Sequence, residues 1–147
     1  EYIVNIDELM DMWSKDSDID RTELGEESLK IPQLHSKYYK LFATERLRLK
    51  KMEADFKILK LEKYEFYTQG PTEESRDRGW KLPPRGLVLK ADVSMYMEAD
   101  DDLIQTSLKI GLQQEKVDYL ENIIKSLVNR NFNIKNAIEW HKFTHGL

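Results

Sequence analysis

The chain has 147 residues, the usual size of one domain, and its 40% hydrophobic content is enough for a core even though 34% of residues are charged and the mean hydropathy is −0.66. It contains no Cys, which excludes disulfides, thiolate metal sites and Cys nucleophiles and fits a reducing compartment. The net charge of −4 conceals an asymmetry: residues 1–29 hold ten acids and two bases, residues 30–70 ten bases and five acids, and residues 71–147 eleven bases and twelve acids.

The acidic start, residues 1–29, lacks an initiator Met and reads as a processed terminus, so Glu1 and Tyr2 carry no weight. Ile3, Ile6, Leu9, Met10 and Trp13 recur at three and four and predict a short amphipathic helix ending at Ser14–Asp20. Three readings of this arm stand open: a solvated terminus, a docking site for a basic protein, or an internal mimic that competes with polyanion. Thr22–Ser28, with Gly25, reads as a polar connection.

Pro32 reads as the first-turn residue of a long helix over 32–69. Its apolar positions Leu34, Tyr38, Leu41, Phe42, Leu49, Met52, Phe56 and Leu59 share one face. At about 1.5 Å per residue the helix would span roughly 55 Å, which calls for a bundle or coiled-coil partner. Lys37, Lys40, Arg48 and Lys51 flank one side of that face, and Arg46, Lys50 and Lys57 the other.

Residues 70–97 hold Pro71, Pro83, Pro84, Gly70, Gly79 and Gly86 and form the main loop. Within it, apolar residues at 87, 89, 91, 93, 95 and 97 alternate as in an extended segment, a short β piece that would still need a pairing partner. Asp100, Asp101 and Asp102 then open a second long helix, where acids complement the dipole. Leu103, Ile110, Val117 and Ile124 repeat at seven, with Leu120 and Leu127 on the next row. Asn129–Asn131 is expected to end this helix, and Asn133 to cap a last one bearing Ile134, Ala137, Ile138, Trp140 and Phe143. The class is all-α: one helical domain, with long helices in a bundle or coiled-coil-like protomer. Residues 100–145 are expected to carry oligomerisation through Ile110, Val117, Leu120, Ile124, Leu127, Phe132 and Ile138.

Catalytic motifs are absent. His141 and His145 lie four apart without an HExxH pattern, the acids at 100–102 lack EF-hand spacing, and no phosphate loop or GxSxG elbow occurs. No enzyme activity, metal or cofactor is expected, and no membrane, since no apolar run nears the roughly 18–20 residues of a span. The basic block is the informative feature. Arg46, Arg48, Lys50, Lys51, Lys57, Lys60 and Lys63 interleave with Tyr64, Phe66 and Tyr67, and the loop adds Arg76, Arg78, Trp80 and Lys81. Cations neutralise phosphates while rings stack on unpaired bases, worth about 1–3 kcal/mol per base, so the pattern points to single-stranded nucleic acid. The competing reading keeps Phe66 and Tyr67 in a core and leaves the Lys residues solubilising a coiled coil.

Three stretches, 59–70 (LKLEKYEFYTQG), 88–92 (VLKAD) and 120–140 (LENIIKSLVNRNFNIKNAIEW, running on to Phe143 and Gly146), resemble the UvsY family of recombination mediators from T4-type phages. The resemblance implies a non-enzymatic, mostly helical protein that assembles into a ring of about six or seven subunits. It implies binding to single-stranded DNA coated by a single-strand-binding protein, and help for a RecA-like phage recombinase in replacing that coat. The expected setting is the cytoplasm of an infected bacterial host. The family's basic pair before the aromatic–polar–Gly turn matches Lys63 and Lys60, with one residue inserted relative to the family spacing. The runner-up is a non-enzymatic coiled-coil adaptor whose basic face binds an acidic protein.

Overall fold

The Asn5 side chain accepts the Glu8 N–H at 2.8 Å and so fixes the start of α1, Ile6–Asp16. The computed structural model describes residues 4–147, and Ile3, expected in this helix, lies outside them. Four further helices follow: α2 Leu24–Gln69, α3 Glu73–Asp77, α4 Val93–Glu98 and α5 Asp101–Thr144, with no strand among the described residues. The all-α expectation holds, while three segments differ from what the sequence pattern predicts.

Helix α1 ends at Asp16, capped at Ser17, within the Ser14–Asp20 break that the sequence predicts. Helix α2 starts at Leu24, not Pro32, because the Asp20 carboxylate takes the Thr22 N–H and hydroxyl and its carbonyl takes the Glu23 N–H, nucleating the first turn ahead of Glu26 and Glu27. Pro32 therefore sits inside the helix, where one missing N–H costs about 3 kcal/mol. Burial of Ile31 and Tyr38 beside it offsets that loss. Helix α5 runs through Asn129–Asn131 without a break. Asn is only a mediocre helix former, and Arg130 and Ile134 are both buried there, so packing overrides propensity. The expected β piece at 87–97 is instead a turn followed by α4. With Gly86 in the left-handed region (φ 89°) and the Asp92 N–H bonded to the Leu89 carbonyl, the chain closes into turns and has no strand to pair with. Leu87 and Leu89 are exposed, and Val88, Val93, Tyr96 and Met97 face inward instead.

The chain forms two compact units. The first comprises the chain through Leu47 together with Gln114–Leu147. Its core joins Val4, Leu9, Tyr38, Leu120, Ile123 and Leu127, with Trp13 meeting Tyr38 edge-on at 5.4 Å between centroids. The Asp16 carboxylate accepts from Lys37 at 2.6 Å and from the Tyr38 hydroxyl at 2.7 Å, and Arg130 donates to the Asp16 and Ser17 carbonyls at 3.3 and 2.9 Å. Lys116 and Glu45 form a buried ion pair at 3.6 Å. The second unit, Arg48–Gln113, is centred on Phe66, Tyr67, Val88 and Val93, with Tyr64, Trp80, Leu82, Tyr96 and Met97 packed around them. The Val88 N–H donates to the Tyr67 carbonyl at 2.8 Å and ties the loop to α2.

Candidate nucleic-acid interface

In the second unit, Lys50, Lys57 and Lys60 stand at spacings of seven and three, with Glu53 between them, so they share one side of α2. Lys51, Ala54, Ile58 and Leu61 form the adjoining row. All eight side chains are exposed, including the large apolar Ile58 and Leu61, which the sequence pattern did not single out. Lys60 lies over the Phe56 ring at 4.6 Å, a contact that orients the ammonium and leaves it in solvent. Arg48 is half-buried. Arg46 belongs to the first unit, exposed, with its guanidinium 5.0 Å from the Phe42 ring centre. Arg76 and Lys81 are exposed as well.

Lys63 and Tyr67, expected on the strand, are buried by the protein's own packing. Lys63, 3% exposed, is within 3.1 Å of Asp100 and 2.8 Å of Asp102, and its ammonium lies 4.0 Å above the Trp80 ring. The Tyr67 hydroxyl donates to Asp100 at 2.5 Å, and the other Asp100 oxygen accepts the Leu103 N–H at 3.0 Å, capping α5. Burial pushes the Asp100 carboxyl up, but the bonds from Tyr67, Leu103 and Lys63 outweigh it and hold the group below the usual carboxylate range. Burial, and then the bond to Asp100, push the Tyr67 phenol well above its ordinary value. The acidic run at 100–102 was legible as a helix start; its second duty, neutralising Lys63, requires the tertiary fold. Trp80 is half-buried, with the Arg78 guanidinium also over its ring at 4.3 Å, and Arg78 is further paired with Glu62. Of the rings Tyr64, Tyr67 and Trp80 expected to stack on bases, Tyr64 and Trp80 are half-buried and Tyr67 is only 8% exposed.

The residues expected between subunits divide. Val117, Leu120 and Leu127 are buried within the protomer, Ile110, Ile124 and Ile138 are half-buried, and Phe132 is 65% exposed, as are Trp140 at 66% and Phe143 at 75%. The His141 and His145 rings lie 4.0 Å apart on the surface, and the described residues contain no group of three or more His, Asp or Glu placed to hold a metal. Nor is any helix among them long and apolar enough to cross a membrane.

These elements define an all-α protein that presents a cationic helix face bordered by exposed apolar side chains. A family model described as "Recombination, repair and ssDNA binding protein UvsY" matches residues 12–147, and the chain belongs to the UvsY family. Crystal structures of the bacteriophage T4 recombination mediator protein UvsY share the fold. One, lattice type II, has a TM-score of 0.79 at 20% identity, covering 97% of this chain and 99% of that one. Another, lattice type IV, has a TM-score of 0.77 at 20% identity, covering 96% and 99%. No curated protein matches the sequence significantly.

Proposed function

We propose that this protein is a recombination mediator that binds single-stranded DNA and helps load a RecA-like recombinase onto strand coated by single-strand-binding protein, in phage recombination, repair and recombination-dependent replication. The observation that carries the reading is the exposed cationic row of Lys50, Lys57 and Lys60, with Lys51 beside it, in a member of the UvsY family. These four Lys contact phosphates. Arg48, Arg76 and Lys81 add to the field, and Tyr64 is the ring best placed to meet a base. Lys63 and Tyr67 are left out of the binding set because their polar groups are already engaged by Asp100 and Asp102. The mediator acts without catalysis or cofactor, in the cytoplasm of the infected host. It works as a homo-oligomer, a ring of six or seven subunits, held by exposed Phe132 and its neighbours Ile138, Trp140 and Phe143. A ring repeats a weak site along one strand and raises its effective concentration.

The test is anisotropy of a labelled single-stranded oligonucleotide across a salt series, with sedimentation on the same samples. The triple variant Lys50→Ala, Lys57→Ala, Lys60→Ala is expected to bind more weakly and to flatten the log–log salt slope by about 2, at about 0.7 for each phosphate no longer neutralised. An unchanged slope in an intact oligomer would refute the site. Exposed Ile58 and Leu61 beside the cations favour, as a second reading, an adaptor that binds an acidic protein. Failure of the wild-type protein to bind strand at low salt would leave that reading standing.

A further inference from the structure

A cleft of about 320 Å³ in the second unit carries the opposite charge to the Lys row. It opens between the last turns of α2, the turn at Gly70 and α3, and Glu62, Glu65 and Glu74 line it against one cation, Arg78. Its floor is aromatic: Phe66 and Trp80 meet edge-to-face at 5.5 Å between ring centres. Glu65 is exposed and Glu74 80% so, and Glu74 stands 3.9 Å from Arg78, too long for a strong bond. A DNA phosphate entering here would meet three carboxylates, so the cleft is no extension of the strand site.

The protein itself demonstrates which group the cleft accepts. Arg78 lays its guanidinium on Trp80 and bonds it to Glu62. A planar guanidinium satisfies both features together, offering paired N–H donors to carboxylates and a weakly hydrated face to a ring. An ammonium can also sit on this ring, as Lys63 does at 4.0 Å, but it offers no paired, coplanar N–H donors to two carboxylates at once. Glu65 and Glu74 remain to receive a second such group at the mouth of the cleft, while Trp80, already carrying Lys63 at 4.0 Å and Arg78 at 4.3 Å, walls it.

We propose that this cleft is a receptacle for an arginine presented by a basic segment of a protein partner. The partner's chemistry is that of a nucleic-acid-binding surface, which clusters Arg to meet phosphates and can present the same side chains to carboxylates. The assignment does not depend on the strand reading, since it uses none of the Lys residues proposed there. It gives the protein a cationic face for strand and, in the same unit, an anionic cleft for a strand-binding protein.

The experiment measures anisotropy of a short labelled peptide of alternating Arg and Ala, beside its Lys-for-Arg counterpart, against the full chain. The expected result is tighter binding of the Arg peptide. The double variant Glu65→Gln, Glu74→Gln should weaken it by about fivefold to tenfold, as removal of two partly exposed charges beside an aromatic implies. Because the N-terminal arm is also acidic, Asp7→Asn, Asp11→Asn is the control, expected to change affinity by less than about twofold. Equal binding by wild type and the Glu65/Glu74 variant would overturn the proposal, as would an equal loss in the arm variant. Reduced affinity of the Glu65/Glu74 variant for single-stranded oligonucleotide would overturn it too, by assigning the cleft to the strand.

Discussion

Replacing Lys63 with Met removes an ammonium while keeping a stem of similar length against Trp80. The consequence follows from what stays behind. Asp102, with its side chain 52% exposed, returns to water at little cost. Asp100, only 5% exposed, keeps the Tyr67 hydroxyl and the Leu103 N–H but loses its counter-charge. Breaking a buried ion pair from one side costs about 3–5 kcal/mol, and the two remaining donors place this case near about 3 kcal/mol. For a chain of this size that lowers Tm by roughly 10 °C. Urea denaturation and thermal unfolding at one fixed protein concentration read the loss directly. The double variant Lys63→Met, Asp100→Asn should recover much of it, because neither buried charge is then orphaned. Strand affinity of the folded single variant should stay within about twofold of wild type, since every phosphate-facing Lys is still in place. A Lys63→Met protein as stable as wild type with strongly weakened strand binding would refute the reasoning and return Lys63 to the strand.

Arg130→Ala removes two donors to the Asp16 and Ser17 carbonyls and a guanidinium 5.4 Å from the Trp13 ring; a loss of about 2–3 kcal/mol is expected by chemical denaturation. The Asp100 and Asp16 carboxyls are both held below their ordinary value, so their contribution to stability is present above about pH 4 and drains away as pH falls through the folded-state values. Tyr38 and Tyr67 are raised, so stability should also fall as pH climbs past about 10. A pH series of unfolding curves measures both limbs, and Asp100→Asn should flatten the acid one. Leu120→Asp, at a fully buried position, should unfold the protomer, whereas Phe132→Asp should leave helicity intact and reduce only the sedimenting mass. Equal loss of helicity in the two variants would count against Phe132 as a residue that joins subunits.

The apolar seam of α2 was legible because it obeys one period: Tyr38 and Leu49 are buried, and Leu34, Leu41, Phe42, Met52, Phe56 and Leu59 half-buried. The heptad in α5 was legible for the same reason, but its destination was not. A strip of Leu and Ile looks alike whether it meets another subunit or its own chain, and the structure commits Leu120 and Leu127 to the protomer core. Boundaries failed where a local breaker met tertiary packing, at Pro32 and at Asn129–Asn131, and the alternation at 87–97 misled because period two means nothing without a second strand. In the candidate site, charge alone could not separate exposed Lys60 from buried Lys63, three residues on. The separating fact is the pair of carboxylates at 100 and 102, nearly forty positions away in sequence.

The pairing of Arg130 with the carbonyls of Asp16 and Ser17 also orders events on the ribosome. The first unit is discontinuous in sequence: its opening segment meets nothing it packs against after residue 47 until Gln114 and beyond have been made. At about 5–20 residues per second, α1 and the part of α2 it packs on wait several seconds before Leu120, Ile123 and Leu127 arrive to close the core. The second unit, Arg48–Gln113, is one unbroken stretch and has all its own partners earlier. A nascent chain halted before Leu120 would thus leave open the core that the finished protein closes, a target for chaperones or proteases, and C-terminal truncations should be far less tolerated than the exposed residues at that end imply.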